Sequence, residues 1–283
     1  MIIAILLLLL VLFFFVFIVV WAISSSTFGF IESIYIMIFE KPFLPHCELI
    51  HRPLYPSQVQ TLKLYSKYYR CLPEKKQDVF ETRMVKFMKS KEFLAKGDLK
   101  LTDEMMVLAA ESAIKLTFGL RNYMFKEFEQ IFFFKSSFYS DYSKSVNMGE
   151  TNPRGVIVFS WKDLMTGDID ENDNINVGLH EFAHAYMIDN KVNEDQYFEV
   201  ECERFDNFYN DGKSLELIKS HQLFNNYSFR NKMEFFAVAI EHFFETPEKM
   251  KEEILELYQI LCKMMNQDPA LIYSSNAAHR REE

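Results

Sequence analysis

The chain has 283 residues, of which 49% are hydrophobic, 16% aromatic and 25% charged, enough for one large domain or two small ones. Forty acidic residues against thirty-one basic ones leave a net charge of −9, which argues against the basic stripe of a nucleic-acid-binding surface. Residues 2–23 (IIAILLLLLVLFFFVFIVVWAI) are 22 consecutive apolar positions, and Glu32 is the first charged side chain, which argues against a wholly soluble, freely diffusing protein.

A helix of 22 residues rising about 1.5 Å per residue spans about 33 Å, enough for a bilayer core of about 30 Å. A cleaved signal peptide is the competing reading, and Ala22-Ile23-Ser24 offers the small residues of a cleavage site. Such a peptide needs a basic leader and a shorter apolar stretch, and neither is present. A retained single-pass anchor over residues 1–26 is the expectation. Lys41 and Arg52 follow the span, and the positive-inside tendency then places the C-terminal domain in the cytoplasm. Residues 27–56 read as a juxtamembrane segment and linker. Within them, 28–39 (FGFIESIYIMIF) is too short for a second span and is either interfacial or a continuation of the anchor helix. Pro42, Pro45, Pro53 and Pro56 remove backbone donors and mark the linker. Cys47, Cys71, Cys202 and Cys262 lack CxxC spacing and read as thiols rather than a disulfide framework.

From residue 57 to about 270 the pattern is α+β and mainly α, with a small sheet. Ser57 caps a helix to about Cys71, and Pro73 suits the first turn of another to about Lys89, with Phe80, Met84, Phe87 and Met88 facing the core. Thr102, Asp103 and Glu104 start a helix over 103–118 that is apolar nearly all round and should be central. Residues 128–134 and 155–160 (GVIVFS) read as strands, with a polar loop (SSFYSDYSKSVNMGETNPRG) between them. Further helices are expected near 174–189, 195–210, 230–244 and 247–265, before a polar, frayed tail over 271–283.

His180-Glu181-Phe182-Ala183-His184 is an HExxH motif. Positions i and i+4 share a helix face, so both imidazoles can bind one metal ion, and Glu181 can take a proton from water beside it. Asn174 and Asn176 can open the helix; Val177, Leu179, Phe182 and Ala183 supply its packing. Zinc needs a third protein ligand and one open position. Glu199, Glu201, Glu203, Glu234 and Glu241 are candidates. The spacing of thermolysin-type enzymes favours Glu201 or Glu203. Glu234 heads the apolar run Phe235 to Ile240, where a carboxylate is costly to bury unless paired or metal-bound.

The segments GVIVFSWKDLMTG (155–167), NVGLHEFAHAYMID (176–189) and YSFRNKMEFFAVAIEHFFETPE (227–248), with LKLTDEMMVLAAESAIKLTFGL (99–120), resemble the Mlc titration factor A family. These are bacterial glucose-regulated zinc metallopeptidases, also described as DgsA anti-repressors, and the resemblance covers roughly residues 60–265. It implies a zincin-like metallopeptidase domain with a zinc site similar to that of anthrax lethal factor. It further implies His180 and His184 as zinc ligands, Glu234 as the third, Glu181 as general base and Tyr227 as an active-site tyrosine donating to the oxyanion. Where the family often has an acid three residues after the second histidine, this chain has Met187, with Asp189 two further on. The implied function is zinc-dependent hydrolysis of peptide or protein substrates, with aminopeptidase-like activity. The alternative it implies is binding and sequestration of a transcriptional repressor. Strand 155–160 is the expected edge for pairing with an extended peptide.

Overall fold

In a computed structural model of the chain the described residues are 2–46, 48, 50–169, 176–220 and 223–279; for 2–9, 17–26, 168, 169, 220 and 276–279 only the backbone is described. The chain divides into two units, Met1–Phe43 and Leu44–Glu283. The first is built on α1 (Ile2–Phe39), one unbroken helix of 38 residues, so 28–39 continues the helix of the apolar run. Seven consecutive apolar side chains, Leu10 to Val16, are 51–69% exposed and so leave every face of two helical turns uncovered. Among the described residues no helix is long and apolar enough to cross a membrane. The side chains of 1–9 and 17–26, which make up most of the predicted anchor, lie outside that description.

In the second unit the elements run α2 (Pro56–Tyr65), α3 (Lys67–Cys71), α4 (Glu74–Ser90), β1 (Glu92–Ala95), α5 (Asp103–Thr117), β2 (Gln130–Phe134), β3 (Phe138–Ser140), β4 (Ser145–Asn147), β5 (Gly149–Asn152) and β6 (Val156–Ser160). They continue with α6 (Trp161–Ile169), α7 (Val177–Val192), α8 (Gln196–Asn210), α9 (Gly212–Ser220), a 3-10 turn (Asn226–Phe229), α10 (Lys232–Glu245), α11 (Pro247–Glu253), α12 (Leu255–Met265) and α13 (Pro269–His279). The expected α+β class, mainly helical with a small sheet, is what the chain adopts.

Helix α5 is central, as its all-round apolar sequence implies: Val107, Ala109, Ala110, Ala113, Ile114 and Leu116 are fully buried. Thr102 caps it by accepting from the Met105 N–H. The single helix expected over 57–71 breaks at Ser66. That hydroxyl accepts from the Tyr69 N–H to cap α3 and donates to the buried Glu111 of α5 at 2.5 Å. A local side-chain bond thus competes successfully with helix continuation.

The sheet has the order β1-β2-β6-β5, with β1, β2 and β6 parallel and β5 antiparallel to β6. Strand β6 is therefore interior, which corrects the expectation that 155–160 forms the edge. The edge beside α7 is β5, and it lies in the stretch expected to be a polar loop. That stretch also holds the β3–β4 hairpin. The β5–β6 turn closes at Gly155 (φ +89°), where a Cβ would lie 2.7 Å from the Glu127 carbonyl oxygen. Helix α7 packs on this sheet through Phe182, whose ring lies 5.8 Å from Phe159, 5.2 Å from Phe125 and 5.9 Å from Phe87. The middle of the HExxH motif thereby fixes the helix against the core.

Elsewhere β1, α6, α9 and α13 are additions to the sequence-based picture. The helix expected over 247–265 breaks at the buried Ile254, whose backbone leaves the helical region. The tail expected to fray is helical to His279. Cys71, Cys202 and Cys262 are free thiols; Cys47 and Asn174 lie outside the described residues.

Candidate metal centre

Helix α7 starts at Asn176, whose side-chain oxygen accepts from the Leu179 N–H at 2.9 Å. From there the helical period places His180 and His184 one turn apart on one face, with their Nε2 atoms 3.1 Å apart. Helix α10 brings Glu234 to them. Its N-cap, Asn231, accepts from the Glu234 N–H at 3.0 Å, which sets the carboxylate in the first helical turn. Glu234 Oε2 lies 3.3 Å from His180 Nε2, and Oε1 lies 3.8 Å from His184 Nε2.

These distances can be tested against a bound ion. A tetrahedral zinc with ligand bonds of about 2.05 Å separates its ligand atoms by about 3.3 Å. One ligand atom from each of the three side chains lies within 4.8 Å of the others, and they form the metal-capable group of His, Cys, Asp and Glu found among the described residues. Glu234 Oε2 is buried and receives no hydrogen bond of good geometry. Two imidazole nitrogens at 3.1 Å can share at most one proton, and a cation satisfies both lone pairs together. The three residues fit zinc.

The electrostatics agree. Burial alone would lower His180, but the Glu234 carboxylate 3.3 Å away and the Glu241 carboxylate hydrogen-bonded to its Nδ1 hold it well above the usual imidazole range. Burial, then the charge of His180, pushes His184 down to about 3. A focused negative potential therefore surrounds a pair of imidazoles of which one is held neutral.

Glu241, two helical turns after Glu234, reaches the far side of the first histidine. Its Oε1 is 2.7 Å from His180 Nδ1, and its Oε2 accepts from the Asn176 N–H at 2.9 Å. It therefore fixes the ring so that Nε2 faces the cluster, and it ties the start of α7 to α10. Asp189 does not take this part; it accepts from the Glu127 N–H at 2.8 Å. Met187 is buried in the core.

Glu181 is buried, and Thr151 of β5 stands 2.9 Å from its Oε2. Burial pushes its carboxyl up to about 7, opposed by the charge of His180 and the hydrogen bond from Thr151. A group poised near neutrality can both accept and return a proton. Gly149, also on β5, makes room for it: a Cβ there would lie 2.6 Å from Glu181 Cγ and Oε1. Tyr227 sits on the 3-10 turn, 47% exposed. Burial followed by the Glu234 charge raises its hydroxyl above the usual phenol range.

A cleft of about 740 Å³ opens over these groups, lined also by Asn147, Met148, Gly149, Asn225, Tyr227 and Arg230. The remaining candidate ligands lie elsewhere. Glu201 is buried in α8 against Arg204 at 3.1 Å, and Glu199 and Glu203 lie on the same helix. Sequence reasoning missed the part of Glu241 as the His180 partner, although its seven-residue spacing from Glu234 put both on one helix face. Gly149 and Thr151 carried no such signal.

Residues 46–265 match the family model described as glucose-regulated metallo-peptidase M90, a span that contains the whole cluster. An uncharacterized protein of Synechocystis sp. is 26% identical over 249 residues, covering 79% of this chain and 88% of its own.

Proposed function

We propose that this chain, which belongs to the glucose-regulated metallo-peptidase M90 family, is a zinc-dependent peptidase held at a membrane by its N-terminal helix. The observation that carries this reading is the convergence of His180, His184 and Glu234 around one point, with Glu181 beside it. A zinc ion held by the three side chains would polarise the scissile carbonyl and acidify a neighbouring water. Glu181, with its carboxyl near neutrality, takes the water's proton and passes it to the leaving amine. Tyr227 donates its hydroxyl hydrogen to the oxyanion that develops on the attacked carbonyl. The free side of edge strand β5 offers backbone groups to an extended peptide lying along the cleft.

Membrane attachment is supported by the apolar run of 2–23 and by the exposure of Leu10 to Val16 on every face of α1. Side chains of that kind are stable in lipid and costly in water. The charge pattern after the run favours a cytoplasmic peptidase domain. Carbonate extraction of membranes, with a reporter fused to the C-terminus, tests attachment and sidedness: release by carbonate removes the anchor.

Catalysis is tested by incubating the purified, zinc-loaded full chain with a complex peptide mixture and reading new termini by mass spectrometry. Glu181→Gln should abolish cleavage while zinc stays bound, and chelation should abolish it reversibly. Cleavage that survives both excludes the mechanism.

A further inference from the structure

Arg230 stands out among the groups that line the cleft. Among the described residues it is the one Lys or Arg on the cleft wall, its side chain is exposed, and it makes no ion pair. The acids around it are already engaged: Glu181 with Thr151, Glu241 with His180 and Asn176, and Glu234 with the two histidines. Its guanidinium lies over the Tyr227 ring at 5.2 Å from the centroid. The charges of Arg230 and Glu234 both act on the Tyr227 hydroxyl, so the guanidinium and the metal-capable cluster share that tyrosine as a neighbour.

A cation in this position has a bland use, which is to stack on an exposed tyrosine. Stacking engages the face of the guanidinium and leaves edge N–H groups for a planar bidentate acceptor. An extended peptide advances about 3.4 Å per residue, so a group one or two residues from the scissile bond falls within reach of Arg230. In a chain of net charge −9, an unneutralised arginine inside a cleft lined by carboxylates is a selective feature rather than part of a basic surface.

We propose that Arg230 is a specificity-determining residue that binds a carboxylate of the peptide substrate, carried one or two residues from the bond to be cleaved. The carboxylate belongs either to an Asp or Glu side chain or to the peptide's C-terminus, as both present the same two oxygens to the guanidinium. Val146 and Met148, which also line the cleft and are 70% and 45% exposed, then take the apolar part of the same peptide. The proposal rests on the peptidase reading and deepens it.

The test uses the zinc-loaded full chain in detergent and a neutral peptide whose cleavage site has been mapped. Variants of that peptide carry Glu in place of Gln at the two positions on either side of the cleaved bond, or a free in place of an amidated C-terminus. At least one carboxylate-bearing peptide should be cleaved about tenfold to hundredfold more efficiently than its neutral twin, mostly through a lower KM. The responding arm identifies the source of the carboxylate. Arg230→Met should erase the preference, read as the ratio of cleavage efficiencies for the two twins with the same variant, and Arg230→Lys should restore part of it. Equal melting temperatures establish that the variants are folded, as expected for an exposed side chain.

A second measurement does not depend on cleavage. Calorimetric titration of the metal-stripped chain with the C-terminal amides of Gly-Glu and Gly-Gln and with free Gly-Gln should show at least one of the two carboxylate-bearing dipeptides binding in preference to neutral Gly-Gln amide, and Arg230→Met should remove that preference. A preference that is absent, or that persists in Arg230→Met, overturns the proposal. Arg230-dependent binding without hydrolysis of any peptide overturns the peptidase reading alone.

Discussion

Replacing Glu241 by Ala perturbs the site without touching any of the three side chains expected to hold the ion. Its carboxylate serves two donors at once, His180 Nδ1 at 2.7 Å and the Asn176 N–H at 2.9 Å, and it is 5% exposed. Truncation strands both donors away from water, at about 1–3 kcal/mol each, so a loss of about 2–6 kcal/mol in folding stability is expected. It also releases the His180 ring from its fixed tautomer and orientation. Loss of such a partner typically weakens metal affinity tenfold to a hundredfold, or about 1.4–2.8 kcal/mol. Glu241→Gln keeps the shape and one acceptor, so its effect on affinity should fall between native and Glu241→Ala. Zinc affinity is read by competition with a chromophoric chelator, and stability by urea unfolding of the metal-free chain. Affinities of both variants within twofold of native would refute the claim that Glu241 positions His180.

Gly149→Ala should force Glu181 or Val177 aside, because the new methyl would lie 2.6–2.7 Å from their atoms. Peptide cleavage should fall at least tenfold and stability by about 1–3 kcal/mol, with zinc affinity unchanged. His242 is buried, and burial pushes it from 6.5 down to about 4. The stability it contributes is present above pH 6.5 and lost as the pH falls through 4, up to about 3 kcal/mol. His242→Gln should flatten the decline in urea midpoint between pH 7 and pH 4.5. Burial also pushes the Cys262 thiol up to about 12, so its reaction with iodoacetamide at pH 8 should be about a thousandfold slower than that of a free thiol until the chain is unfolded.

Features set by local periodicity were legible in the residues. The HExxH spacing placed His180 and His184 on one face, and the apolar surround of α5 announced a central helix. Glu234 was one of five candidate acids, because its approach to α7 depends on packing between elements some fifty residues apart, which no local pattern encodes. Family resemblance singled it out, and the fold brings it to the histidines. Strand β5 was hidden for a different reason: GETN is a poor strand sequence, and it is extended because β6 pairs with it. With β5 unrecognised, Gly149 and Thr151 could not be connected to Glu181. The break at Ser66 shows the limit of helical signals, since a buried partner on another helix decides where the chain turns.

Zinc-edge X-ray absorption of the purified full chain decides whether His180, His184 and Glu234 together hold one zinc ion. The expected result is one zinc per chain, nitrogen and oxygen neighbours at about 2.0–2.1 Å with the outer-shell scattering of two imidazoles, and loss of one oxygen neighbour in Glu234→Ala. A sulfur neighbour at about 2.3 Å, or a spectrum unchanged in Glu234→Ala, would contradict it.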